Sequence, residues 1–334
     1  MKLSIFRTIT SLIALSGVLV TSMPSAFAQL TVQQQAIPRQ VDRMYIKGLD
    51  YLLKNQKADG SFKGSYGNEV ATYAFCIMSA LAYGEDPEVG AYANMIKKCL
   101  NNILKNQQEN GYFGNSMYSH GFATLALSEL YGMLPDERIG KALSKAVDLT
   151  LTAQKTNKIG AWRYSPDAVN DGDTSIVGCQ FVSLIAARNA GIPVPDASYE
   201  DAIKFLEKCY CNKGGFDYTE SYGNSTGSVT LSAVGLLCMA LYKDKTNKMY
   251  QPTLNLLKDN LNYKNTSYPY YFEYYMAQAL FQADLPTWEI WNQKNIKLME
   301  ATQKPNGSWG DAYTTAFGLL SLALNYRFLP IYEK

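Results

Sequence analysis

Apolar residues along this chain follow two patterns that alternate. In residues 41–54, Val41, Met44, Tyr45, Leu49, Leu52 and Leu53 recur at intervals of three and four, while Asp42, Arg43, Lys47 and Lys54 fall between them. This spacing puts the apolar groups on one stripe of a surface helix. Similar segments run at about 88–107, 138–154, 198–211, 249–262 and 288–303. Between them lie segments that are apolar nearly all round, at about 71–81, 121–130, 173–190, 226–242, 270–283 and 315–324. A helix with no polar face belongs inside the fold, and Ala123, Gly178, Gly235 and Gly318 let such helices approach closely. Six amphipathic helices alternating with six buried ones predict an all-α fold, an (α/α)6 toroid of about twelve helices in an inner and an outer ring.

A recurring phrase, Gln-x-x-x-Gly-x-aromatic, separates each outer helix from its inner partner at 56–62, 107–113 and 303–309. Looser copies occur at Gln154 with Gly160, Ala161 and Trp162, and at Gly214, Gly215 and Phe216, where the Gln is missing. The glycines lie roughly 50 residues apart, a period that marks repeated helix pairs. One double-length gap places a fifth unit around Tyr268 to Tyr271 that has lost its glycine. Every turn leads into the start of an inner helix, so the six inner N-termini gather at one end of the ring. Polar residues there are the candidates for chemistry: Glu69; Tyr118 and His120; Asp171 and Asp173; Tyr270, Tyr271 and Glu273; Asp311 and Tyr313.

Residues 1–28 read as an export signal. Lys2 and Arg7 precede an uncharged stretch, and Ala26, Phe27 and Ala28 fit a small-x-small cleavage site. The expected domains are thus a signal at 1–28, an extension at 29–39 and a toroid at 40–334, exported to the periplasm or beyond the cell, with no membrane span in the mature chain. Removing the leader takes two basic residues and no acidic one, which leaves 29 of each sign. A neutral surface disfavours nucleic acid as a partner. Cys76, Cys179 and Cys238 lie in apolar helical runs as buried thiols, whereas Cys99, Cys209 and Cys211 lie near helix ends where pairing is open.

The turn between outer and inner helices resembles that of the squalene cyclase and protein prenyltransferase superfamily of α/α toroids, most specifically at 303–320. A closer likeness, to exported bacterial repeat proteins of that superfamily, is carried by the stretches at 118–121, 129–133, 161–164, 173–178 and 279–282, with Trp288 and Trp291. The resemblance implies a proton-donating Asp in an Asp-x-Asp-Asp-Thr motif, yet alignment on Thr174 puts Gly172 at that position. It also implies, in the prenyltransferase branch, zinc held by Asp, Cys and His. Here His120 is the single histidine and no late Asp-x-Cys precedes a His, so no cofactor or metal is expected. The Cys-x-x-Gln of thioester toroids is absent as well, since Cys179 and Gln180 are adjacent.

Each candidate carries two readings. Asp173 caps the helix that begins at Thr174, or acts with Asp171 as an acid in altered geometry. His120 is a hydrogen-bonded residue at a helix start, or a general base poised near neutrality. Glu69, Glu273 and the two aspartates are helix-start carboxylates, or a pair for glycoside chemistry. The tyrosines, 25 in all, pack between helices or line a cavity for a lipid or sugar. Two functions follow: an exported ligand- or protein-binding module that keeps the ring without the inherited motifs, or a divergent enzyme acting on an isoprenoid or polysaccharide.

Overall fold

The computed structural model describes residues 37–63, 67, 69–220 and 226–332. The export signal expected at 1–28, and most of the extension expected at 29–39, lie outside the described residues. Outer helices α1 (Arg39–Asn55), α3 (Ala93–Lys105), α5 (Glu137–Thr156), α7 (Asp196–Cys209), α9 (Tyr250–Asp259) and α11 (Leu285–Thr302) alternate with a second set. The inner helices are α2 (Glu69–Ala82), α4 (Met117–Leu130), α6 (Thr174–Asn189), α8 (Val229–Leu241), α10 (Pro269–Ala283) and α12 (Ala312–Leu322). Each inner helix packs on the next, and α12 packs back on α2, which closes the circle. The fold is an α/α toroid. No helix among the described residues is long and apolar enough to cross a membrane.

The repeated turn works as a joint. Gly60, Gly111, Gly160, Gly214 and Gly307 all hold positive φ, between 72° and 93°, a region that costs any residue with a Cβ. The preceding glutamine then ties two units together. Gln107 Nε2 donates to Gly111 O at 3.2 Å and to Ala142 O of the next outer helix at 2.8 Å. Gln154 Nε2 bonds Gly160 O at 2.9 Å and Ser198 O at 2.8 Å. Gln303 repeats the contact across the chain ends, donating to Gly307 O at 2.9 Å and to Met44 O of α1 at 2.8 Å. The last unit is thereby fastened to the first.

The centre of the ring is filled. Phe75, Phe122 and Phe317 meet edge to face, with centroids 4.5 Å, 4.3 Å and 6.1 Å apart, and Tyr274 packs on Phe317 at 5.0 Å. Such pairs each add about 0.5–1.5 kcal/mol beyond burial of area. Past α12 the chain returns along the opposite end of the inner helices, where Leu329, Ile331 and Tyr332 are buried and the last turn packs on α6. All six cysteines are buried thiols, including Cys99, Cys209 and Cys211.

Candidate functional site

The turn-side face of the ring brings two groups of polar residues together. The first centres on Arg163, in the turn before α6. Its NH1 lies 2.7 Å from Asp173 Oδ2 and its Nε 3.0 Å from Asp171 Oδ2. The guanidinium also sits over two rings, 5.5 Å from the centroid of Tyr164 and 5.1 Å from that of Tyr218. The two tyrosines join through their hydroxyls at 2.9 Å, and both are exposed. A guanidinium held by two carboxylates and stacked on aromatic faces is a rigid, planar, multi-donor surface.

Asp173 is 0% exposed and Asp171 is 57% exposed at the side chain. Asp173 Oδ1 accepts from Ile176 N at 2.9 Å and from Ser175 Oγ, so this carboxylate is the N-cap of α6. Burial pushes Asp173 above the usual carboxylate range, while Ser175, the Ile176 amide and Arg163 pull it back. Gly172 has a packing reason to be glycine. A Cβ there would lie 2.7 Å from Ala161 Cβ and 3.0 Å from the Phe205 ring.

The second group closes the ring centre. Tyr118 and Tyr313, on α4 and α12, share a hydrogen bond of 2.7 Å between hydroxyls. Tyr271 of α10 stacks on Phe317 at 6.1 Å, and burial pushes its hydroxyl well above the usual tyrosine range. Burial pushes Tyr313 up to about 12. These three tyrosines occupy one register, and the residue two positions on faces outward from each.

That register explains His120. It is 0% exposed and turned toward outer helix α5. Its Nδ1 accepts from Phe113 N at 3.2 Å, while Nε2 lies 3.2 Å from Ala146 O and 3.0 Å from Thr150 Oγ1. Thr315 Oγ1 takes the same place toward Trp309 N at 3.2 Å, and Ser232 Oγ toward Phe216 N at 3.1 Å. All three accept the N–H of the aromatic residue in their own turn. Burial lowers His120 to about 4. As the single histidine of the chain, its imidazole resonance is expected to stay neutral from pH 8 down to about pH 5, and a midpoint near 6.5 in an NMR titration would contradict this burial.

The remaining candidates lie elsewhere. Glu273 follows Tyr271 by two, as His120 follows Tyr118, and is 3% exposed. Tyr270 sits beside Thr302 at the end of α11. Asp311 caps α12, accepting from Thr314 N at 2.8 Å. Glu69 is exposed at the start of α2, where it lines a cleft with Val70, Tyr73 and Lys105. Among the described residues no group of three or more His, Cys, Asp or Glu is placed to hold a metal. Arg163, Tyr164, Tyr218 and Ser175 had no role assigned from sequence. The stretch 161–164 stood out as family-like, but nothing in a linear sequence shows that Arg163 reaches both aspartates.

No known family profile and no curated protein matches the sequence. Solved structures do match. An inactive variant of the α-1,6-mannanase GH76A of Salegentibacter sp. HEL1_6, with two aspartates replaced by asparagine and α-1,6-mannotriose bound, aligns at TM-score 0.67 and 11% identity over 86% of this chain and 99% of that chain. A glycoside hydrolase family 76 mannosidase of Bacteroides thetaiotaomicron aligns at 0.62 and 10% over 86% and 97%. An apo type II terpene cyclase of Scytonema aligns at 0.56 and 13% over 87% and 99%. The likeness is one of fold. Both kinds of enzyme share the α/α toroid, so the squalene cyclase resemblance is supported only at that level.

Proposed function

We propose that the protein is an exported toroid that binds a neutral polysaccharide on the turn-side face of its ring, at the Arg163 cluster. The observation that carries this reading is the guanidinium fixed between Asp171 and Asp173 and stacked over Tyr164 and Tyr218. Sugar rings present apolar C–H faces and paired hydroxyls, which aromatic rings and charged bidentate groups recognise. The filled centre counts against an isoprenoid held inside the ring. The fold shared with mannanases, one of them holding a mannotriose, favours a saccharide over a protein partner.

Hydrolysis of that polysaccharide is the second reading, favoured by the same structural neighbours. Asp171 and Asp173 would then supply the two carboxylates that glycoside cleavage needs. Against it, both oxygens of Asp173 are engaged with Ser175, the Ile176 amide and Arg163. The test is affinity electrophoresis and calorimetry of residues 29–334 against α-1,6-mannan and other neutral hexose polymers, with reducing ends measured in parallel. Retention without new reducing ends is the expected result, and Tyr164→Ala is expected to weaken it roughly tenfold. Steady release of reducing ends would replace binding by hydrolysis. Failure to retain any polymer would end the saccharide reading.

A further inference from the structure

We infer that the cleft between α2 and the turn before α4 is a second subsite for the same glycan chain, so that the ligand is an oligosaccharide lying along the turn-side face. This rests on the reading of the Arg163 cluster as a saccharide site. The cleft has a volume of about 570 Å³, within the usual range for small-molecule sites. Val70 and Tyr73 form its buried floor, and the exposed side chains of Glu69, Lys105, Gln108 and Asn115 stand round it. Among the described residues one acid, one base and four amides, Asn106 and Gln107 being the other two, give a lining with no net charge and with both donors and acceptors. That chemistry suits a neutral polyhydroxylated ligand better than an anion or a cation.

Backbone geometry shapes one lip. Gly114 has φ +72° and its carbonyl accepts from Gln108 Nε2 at 3.2 Å, which fixes the turn against the cleft wall. A Cβ at Gly67, on the other lip, would lie 4.0 Å from Asn115 Nδ2, with no closer atom among the described residues. The position relative to the first site follows from one hydrogen bond. Asn115 lines the cleft, and two residues later Met117 N donates to Tyr164 O at 2.9 Å. Only the start of α4 therefore separates the cleft from the Arg163 cluster, a path on the order of 10 Å for so few residues. A single sugar does not reach across it, whereas an oligosaccharide does.

The test is calorimetry with methyl α-mannoside and with α-1,6-linked manno-oligosaccharides up to the hexasaccharide, using residues 29–334. The wild type is expected to bind the hexasaccharide at least roughly tenfold more tightly than methyl α-mannoside. Asn115→Trp, which fills the cleft, and the pair Glu69→Gln with Lys105→Ala, which removes its charges, are expected to keep the affinity for methyl α-mannoside and lose the gain with length. All these positions are exposed, so the variants should retain the wild-type melting temperature. Equal affinity for all lengths in the wild type, or a gain that survives in both variants, would overturn the second subsite and leave the first intact. Loss of methyl α-mannoside binding in the cleft variants, with Tyr164→Ala unaffected, would overturn it too, because the cleft would then be the primary site. No binding of any length would instead remove the saccharide reading itself.

Discussion

Glu273→Gln is expected to stabilise the protein, relative to wild type, by about 4 kcal/mol more at pH 9 than at pH 4.5. Glu273 is 3% exposed, and its Oε2 has no hydrogen-bond partner among the described residues. It stands in the register where His120, Ser232 and Thr315 accept the N–H of a turn aromatic. The fifth unit has lost the Gly-x-aromatic turn, so that donor is not supplied. Burial therefore pushes Glu273 from 4.5 up to about 8, with the Glu273 amide and Lys264 opposing weakly. A carboxyl raised in the folded state binds its proton more tightly than in the unfolded chain. Its contribution is complete below about pH 4.5 and is lost as pH rises through about 8, at roughly 1.4 kcal/mol per pH unit.

His120 acts in the other direction. Its folded value is depressed from 6.5 to about 4, so its contribution is present above 6.5 and lost as pH falls through 4. The two effects oppose each other between about pH 4.5 and 6.5, which is why the difference between Glu273→Gln and wild type is the informative quantity. Urea unfolding of both proteins from pH 4.5 to pH 9 is the measurement. Parallel pH profiles would show that Glu273 ionises normally in the folded protein.

Gly307→Ala is expected to cost about 3 kcal/mol, from roughly 1–2 for the left-handed backbone and 1–3 for overpacking. Gly307 has φ +90°, and a Cβ on it would lie 2.2 Å from Lys47 O, a backbone atom that has no rotamer to escape into. This is also the joint at which Gln303 fastens the last unit to Met44 of the first. Gly132→Ala is the control, because Gly132 has φ +88° with nothing among the described residues within 4 Å of its Cβ position. It should cost only about 1 kcal/mol. Equal losses in urea unfolding for the two variants would mean that backbone conformation alone, and not close approach between units, requires the glycine.

The turn phrase shows how far local sequence reaches. Its glycines mark positions where only positive φ is tolerated, and its glutamines recur because each one bridges two units. Periodicity separated buried from exposed helices for a similar reason, since burial on all sides demands apolar residues on all sides. Candidate residues were harder to read. Facing direction depends on position within a turn of helix, so Tyr118 and His120, two residues apart, point to opposite sides of the same helix. One closes the ring centre and the other is bonded to α5.

The alternation of helices, the six-fold repeat and the place of the inner helix starts were determined by the sequence itself, because 3.6-residue periodicity and glycine sterics are local properties of the chain. Only the tertiary structure decided that the ring centre is plugged by Phe75, Phe122 and Phe317, and that Arg163 gathers Asp171 and Asp173 beneath two exposed tyrosines. It likewise decided that Glu273 lacks the donor its counterparts have. Each of these is a relation between side chains brought together by the closing of the ring, and no local pattern specifies the distance between residues on different helices.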